Sequence, residues 1–173
     1  QTFNAGLDDP FYENIAGRGV RICNSSAQGV AISEYVLGQV MSVLQPIQDQ
    51  RRMQAQREWA ITRFREISKT QWLIIGFGPI GQEVAKRVKA FGAEVSVIRR
   101  TPKTPNDIDR AGTTADLPAF LPHADVIVIA CPLNASTRNL VNAKFFGHVR
   151  DGAIIVNIAR GPIVDDAALI DAL

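Results

Sequence analysis

Gly76-Phe77-Gly78-Pro79-Ile80-Gly81 is the most informative hexapeptide in the chain. It follows a short apolar run, Leu73 to Ile75, and opens a segment in which Ile80, Val84, Val88 and Phe91 recur at helical spacing. A second strand candidate, Glu94 to Ile98, comes next. Strand, helix and strand within about 30 residues make a βαβ unit. A G-x-G-x-x-G pattern at its first turn reads as a nucleotide-binding loop. The three glycines serve different ends, since Gly76 permits the tight turn, Gly78 lets a pyrophosphate reach the backbone, and Gly81 lets the helix lie close to the strand. The helix N-terminus then offers free N–H groups and a positive dipole end to phosphate. Pro79 suits the first helical turn, where its missing N–H would have no partner. The same six residues alone could be a glycine turn of another α/β protein, and it is the βαβ context that favours a dinucleotide.

Working outward, Val126 to Ala130 and Ile154 to Ile158 are further strand candidates, too apolar to have one face in water. Repeated alternation with helices predicts an α/β fold, a Rossmann doubly wound parallel sheet with right-handed crossovers. On the N-terminal side, Ile32, Val36, Val40 and Val43, widened by Leu37, Met41 and Leu44, predict a buried helix from Ala31 to Leu44. Pro46 should kink or break it. The stretch from Gln48 to Arg65 is polar and charged and should lie on the surface, anchored by Trp59 and Phe64. Asp165 to Leu173 reads as a last helix, with Asp165 as its N-cap in preference to a catalytic role. The chain opens in an apolar-looking segment and stops within that helix, so the expectation is a piece of a longer enzyme.

The 173 residues suit one domain, and 46% hydrophobic with 21% charged residues is the balance of a globular protein. A net charge of +2 is too small to argue for nucleic acid or an anionic membrane, which leaves a small-molecule partner. Cys23 and Cys131 are far apart and form no C-x-x-C pair, so neither a disulfide framework nor a metal site is expected. A cytoplasmic location fits, with no membrane span or signal peptide in the reading.

Two arginine positions carry chemistry. Arg99 lies 18 residues past Gly81, where an NAD site would place an acid for the ribose hydroxyls. Arg99 and Arg100 beside Thr101 can instead clamp a 2′-phosphate, which favours NADP while leaving NAD possible. The alternative is a pair of solvated loop arginines. Arg160 follows the strand at Ile154 to Ile158, at the sheet edge where ligands bind. There a fixed bidentate donor can grip the carboxylate of an α-keto acid and polarise its carbonyl, or it can form a salt bridge near a helix start. His123 and His148 read as ordinary surface or loop histidines, and Cys131 as a small apolar filler.

In several places the chain resembles the D-isomer-specific 2-hydroxyacid dehydrogenases. These are Asn4-Ala5-Gly6-Leu7-Asp8, Ser33-Glu34 after Gly29, the glycine motif, Cys131-Pro132-Leu133 with Thr137 and Asn142, and the Asn-x-x-Arg-Gly run from Asn157 to Gly161. Ile32 and Ser33 depart from the Val-Ala of the family's Val-Ala-Glu segment. The resemblance implies a hydride exchange between a nicotinamide cofactor and a small 2-keto or 2-hydroxy acid, with glyoxylate or hydroxypyruvate as examples. It assigns residues 1–24 to a remnant of the substrate domain and 25–173 to a Rossmann domain truncated at its C-terminal end. Ala5 and Gly6 would touch substrate. Gly76, Phe77, Gly78, Pro79, Ile80 and Gly81 would seat the pyrophosphate, and Arg99, Arg100 and Thr101 the 2′-phosphate. Cys131, Pro132, Leu133 and Thr137 would lie beside the adenosine half, Ile158, Ala159 and Arg160 would complete the cofactor site, and Arg160 would also serve catalysis. The family's general-acid glutamate and histidine would lie beyond Leu173, and the intact protein would be a homodimer. A nucleotide-sensing binding protein or corepressor on the same fold is the alternative.

Overall fold

The computed structural model describes residues 2, 6, 7, 9–101 and 103–173. Strands β1 (Gln71–Ile75), β2 (Glu94–Ile98), β3 (Arg110–Gly112), β4 (Val126–Ile129) and β5 (Ile154–Asn157) form one sheet in the order β3-β2-β1-β4-β5. Every neighbouring pair is parallel. The chain steps from β1 through β2 to β3, then returns to the other side of β1 for β4 and β5. The carboxyl ends of β1 and β4 are therefore the switch point of a doubly wound sheet, the place where such folds take ligands.

Among the described residues seven α-helices accompany the sheet: α1 (Pro10–Gly17), α2 (Gly29–Leu44), α3 (Ile47–Gln56), α4 (Pro79–Ala90), α5 (Leu117–Phe120), α6 (Ala143–Phe146) and α7 (Asp166–Ala172). Alternation along β1 divides the core into two layers, because successive strand side chains point to opposite faces. Trp72 and Ile74 join Val95, Val97, Val126 and Val128 beneath α2 and α4. Leu73 and Ile75 join Ile127 and Ile129 beneath α5 and α6. Each fully buried Val, Leu or Ile contributes about 1.5–3 kcal/mol, so β1 carries much of the stability of both layers. Among the described residues no single helix is long and apolar enough to cross a membrane.

The expected strands all form, with β4 and β5 each ending one residue early. Three differences have physical causes. In α2 the buried stripe is Ser33, Val36, Leu37, Val40 and Leu44, while Val43 is 65% exposed. At about 100° per residue, Val43 falls outside the 36–40–44 row that meets α4. Phe91 is likewise not on the inner face of α4, because it caps the helix and is exposed. The helix breaks before Pro46 as predicted, and α3 departs at 59° to α2.

The second difference concerns the segment after α3. Trp59 and Phe64 do not anchor it, being 87% and 62% exposed. Arg65 does: its N–H donates to Leu44 O at 2.9 Å, its carbonyl accepts from Gln45 Nε2 at 3.0 Å, and its guanidinium donates to Asp125 at 2.7 Å. Asp125 is buried at the start of β4, where its carboxylate also accepts from the Gln71 N–H and from Arg150. One carboxylate thus ties the entry of β1 to β4 and to the turn before β5. The third difference is β5 itself, whose Ile154, Ile155 and Val156 are only half-buried because it is an edge strand in this sheet.

Candidate functional site

The glycine turn stands at the switch point. Gly76 leaves β1 with φ of 102°, a left-handed conformation that favours glycine, and its N–H donates to Ile98 O at 2.8 Å. A Cβ there would stand 2.6 Å from Cys131 N and 2.7 Å from Ala130 O. The turn after β1 is therefore pressed against the segment leaving β4. Gly81 is as constrained, since its Cβ would come 2.2 Å from Gly76 O. At Gly78 a Cβ would meet no protein atom within 4 Å. The protein needs no glycine at Gly78 for its own packing, and the open space lies at the start of α4. Gly78 is the N-cap, with no side chain to satisfy the first-turn amides, and Pro79 follows it. This cradle fits a diphosphate: the first-turn N–H groups have no intrahelical acceptors, and the missing Cβ clears the approach.

Cys131-Pro132-Leu133 stands against this turn, and its shape is fixed by Thr137. The Thr137 hydroxyl donates to Pro132 O at 2.7 Å and accepts from Asn134 N at 2.8 Å. Thr137 is 7% exposed, so its side chain holds the loop rather than facing an adenosine directly. The Asn134 carboxamide oxygen caps the next turn, accepting from Ser136 N at 2.9 Å and Ser136 Oγ at 2.7 Å. Asn142 caps α6 through Phe145 N at 3.2 Å. Cys131 is buried, which pushes its thiol pKa up and keeps it neutral. That is the environment of a filler, as predicted, and not of a nucleophile.

Arg99 is the last residue of the β2 segment held by the sheet, its N–H donating to Gly112 O at 2.9 Å. Its guanidinium lies over the Phe77 ring at 5.8 Å from the centroid, and Nη1 donates to Lys103 O at 3.5 Å. Arg100 and Thr101 follow in an exposed bend. β3, which no apolar run announces, is what fixes Arg99 in place.

Beyond β5, Asn157 builds an Asx turn: Oδ1 accepts from Ala159 N at 3.0 Å and Nδ2 donates to Arg160 O at 3.0 Å. Ile158 and Ala159 are half-buried inside that turn, and Ile158 N donates to Ile129 O at 3.2 Å. Arg160 is exposed and extended at φ −148°, and its Nη1 donates to Ala159 O at 2.8 Å. The loop is braced from the β4 side, where Val141 N donates to Ile163 O at 3.1 Å and Asp165 N to Val141 O at 2.9 Å. Asp165 caps α7 through Ala168 N at 3.1 Å. The turns after β1, β2, β4 and β5 thus share one edge of the sheet. Ala5 lies outside the described residues, as do Asn4 and Asp8, while Gly6 is half-buried. The shaping roles of Asn134, Asn157 and Thr137 were missed by sequence reasoning, although an Asn two residues before a backbone turn is a recognisable signal.

Fold and site define a dinucleotide-binding Rossmann domain. Residues 37–173 match the D-isomer specific 2-hydroxyacid dehydrogenase, NAD binding domain, and the chain belongs to that family. It is 33% identical over 168 residues to a hydroxypyruvate reductase of Thermotoga maritima, covering 95% of this chain and 54% of that protein. The structure of a D-isomer specific 2-hydroxyacid dehydrogenase from Xanthobacter autotrophicus Py2, in complex with NADPH and MES, superposes with a TM-score of 0.78. The two share 30% identity over 89% of this chain and 64% of that one. An NADPH-dependent glyoxylate/hydroxypyruvate reductase from Sinorhizobium meliloti gives a TM-score of 0.76 at 25% identity, covering 84% and 74%. The chain spans about half the length of the curated relatives it matches.

Proposed function

We propose that the chain is the cofactor-binding part of a reductase that exchanges hydride between NADPH and a small 2-keto or 2-hydroxy acid. The observation that carries this is the cradle at Gly78, sharing a sheet edge with the Arg160 turn. The names of the relatives, hydroxypyruvate and glyoxylate/hydroxypyruvate reductases among them, support the substrate class. They are dehydrogenases and reductases, so the sensor or corepressor reading draws no support from them.

Gly76 to Gly81 and the first turn of α4 would hold the pyrophosphate, Arg99 with Arg100 and Thr101 the 2′-phosphate, and the Cys131 to Leu133 loop the adenosine half. When bound, the cofactor supplies hydride from its nicotinamide C4 to the substrate C2. Arg160 would grip the substrate carboxylate with its planar fork and polarise the adjacent carbonyl, with Ala5 and Gly6 contributing from a substrate-domain remnant at residues 1–24. The proton for the carbonyl oxygen would come from a carboxylate–imidazole pair outside residues 1–173. On this reading the chain by itself binds cofactor without turnover. In the reducing cytoplasm where such a reductase would work, the exposed Cys23 and buried Cys131 stay thiols. The intact protein is then a homodimer, supported by the exposed Tyr35 and Val43 of α2 and the exposed Trp59, Ile61 and Phe64.

Calorimetric titration with NADPH and NADH tests the cofactor preference. NADPH should bind more tightly, and Arg99→Asp combined with Arg100→Ala should abolish or reverse the difference. Tighter binding of NADH by the wild type would overturn it.

A further inference from the structure

We infer that Phe77 is a positioning residue for cofactor selection, because its ring holds the Arg99 guanidinium ready for a ribose 2′-phosphate. The inference rests on the proposed preference for the 2′-phosphorylated cofactor and assigns it a device. Phe77 occupies the first variable position of the glycine motif. Its side chain is half-buried and packs against the core layer beneath α4, so the ring has a fixed support. The Arg99 guanidinium lies 5.8 Å from the ring centroid, within the range at which a cation is held by an aromatic face. The turns carrying the two residues are joined through Gly76 N and Ile98 O at 2.8 Å, and the Arg99 backbone is pinned to β3 through Gly112 O at 2.9 Å.

The consequence follows from entropy. A long exposed arginine loses rotamer freedom when it closes on a phosphate, and that loss weakens binding. Stacking on Phe77 and donation to Lys103 O restrict Arg99 beforehand, leaving its fork available to a dianion without a large reordering. Arg100 and Thr101 are exposed, and among the described residues their side chains make no hydrogen bond, so they reach the phosphate only by ordering on contact. Of the two arginines, Arg99 is the prearranged one. A ring at position 77 therefore acts on the 2′-phosphate through Arg99.

The test compares adenosine 2′,5′-bisphosphate with 5′-AMP, which differ by the phosphate in question, by calorimetry on the full-length protein. Phe77→Leu should lower the ratio of bisphosphate to 5′-AMP affinity about two- to fivefold, the size of one exposed cation–π contact, whatever it does to the two in common. Phe77→Tyr should behave as wild type. In an Arg99→Ala background the leucine substitution should have no further effect on the ratio. Phe77→Met repeats the comparison if the leucine variant does not fold. Equal weakening of both ligands, or an undiminished effect of Phe77→Leu in the Arg99→Ala background, would reduce Phe77 to a packing residue. Failure of the underlying preference looks different: the wild type would then bind the bisphosphate no better than 5′-AMP. A wild type that discriminates, an Arg99→Ala variant that does not, and a Phe77→Leu variant that discriminates as strongly as the wild type would overturn the positioning role alone.

Discussion

The three glycines of the turn make different demands, and substitution separates them. Gly76→Ala and Gly81→Ala each drive a Cβ into backbone atoms, at 2.6 Å and 2.2 Å. Each should cost about 2–4 kcal/mol of stability, seen as a lowered unfolding midpoint. Gly78→Ala meets open space, so its unfolding free energy should stay within about 1 kcal/mol of wild type while NADPH affinity falls about tenfold or more. Sequence alone assigns all three to the motif, but only the surroundings show which two the fold needs. Arg160 offers a second contrast. It is an exposed residue in a turn whose shape is set by Asn157. On the proposed function, Arg160→Ala in the full-length protein should lower kcat/KM for 2-keto acids about a hundredfold with little change in unfolding midpoint. Near-normal turnover, or a loss of stability matching the loss of activity, would make Arg160 a structural residue.

Among the elements, the junction of α4, β2 and the loop before β3 depends on Asp109. Its carboxylate loses hydration by partial burial, but the Val95 N–H at 2.7 Å and the Lys89 ammonium at 2.9 Å outweigh this and hold its pKa below the ordinary value. The folded pKa is lower than the unfolded one, so the stabilisation is complete above about pH 4 and is lost as pH falls through the depressed value. Asp109→Asn should be less stable than wild type at neutral pH and lose less on acidification; parallel acid-unfolding curves would refute this. β3, which Asp109 precedes, shows why an element can escape a reading of the sequence. Arg110-Ala111-Gly112 has neither alternation nor apolar run, and becomes a strand only because Ser96 to Ile98 present a free parallel edge. The long elements were legible because burial imposes a period on them: α4 repeats at Val84 and Val88, and β1 and β4 are apolar on both faces.

In the whole molecule, the assembly prediction concerns the apolar side chains the fold leaves exposed. Trp59 and Ile61 are each 87% exposed on a segment held by Arg65, and Val43 on α2 is 65% exposed. Sedimentation of the full-length protein should give a dimer at micromolar concentration, and Trp59→Glu with Ile61→Glu should shift it toward monomer without unfolding it. A wild-type monomer would overturn the proposal. The same Asp125 that receives Arg65 should matter for stability: Asp125→Asn removes a buried charge facing two guanidinium groups, and should lower the unfolding free energy by about 1–3 kcal/mol by chemical denaturation. By itself the sequence determined the layered α/β fold, the nucleotide turn and the family, because hydrophobic period and glycine geometry are local properties that survive without the partner surfaces. Tertiary structure alone decided which side of α2 is buried, that Arg65 and not Trp59 anchors the following segment, that Thr137 supports its loop, and that Arg99 rests on Phe77. The buried side of α2, the Arg65 anchor and the Arg99–Phe77 pair depend on contacts between residues distant in the chain, which leave no period to read, and the Thr137 bonds, though local, follow no period either.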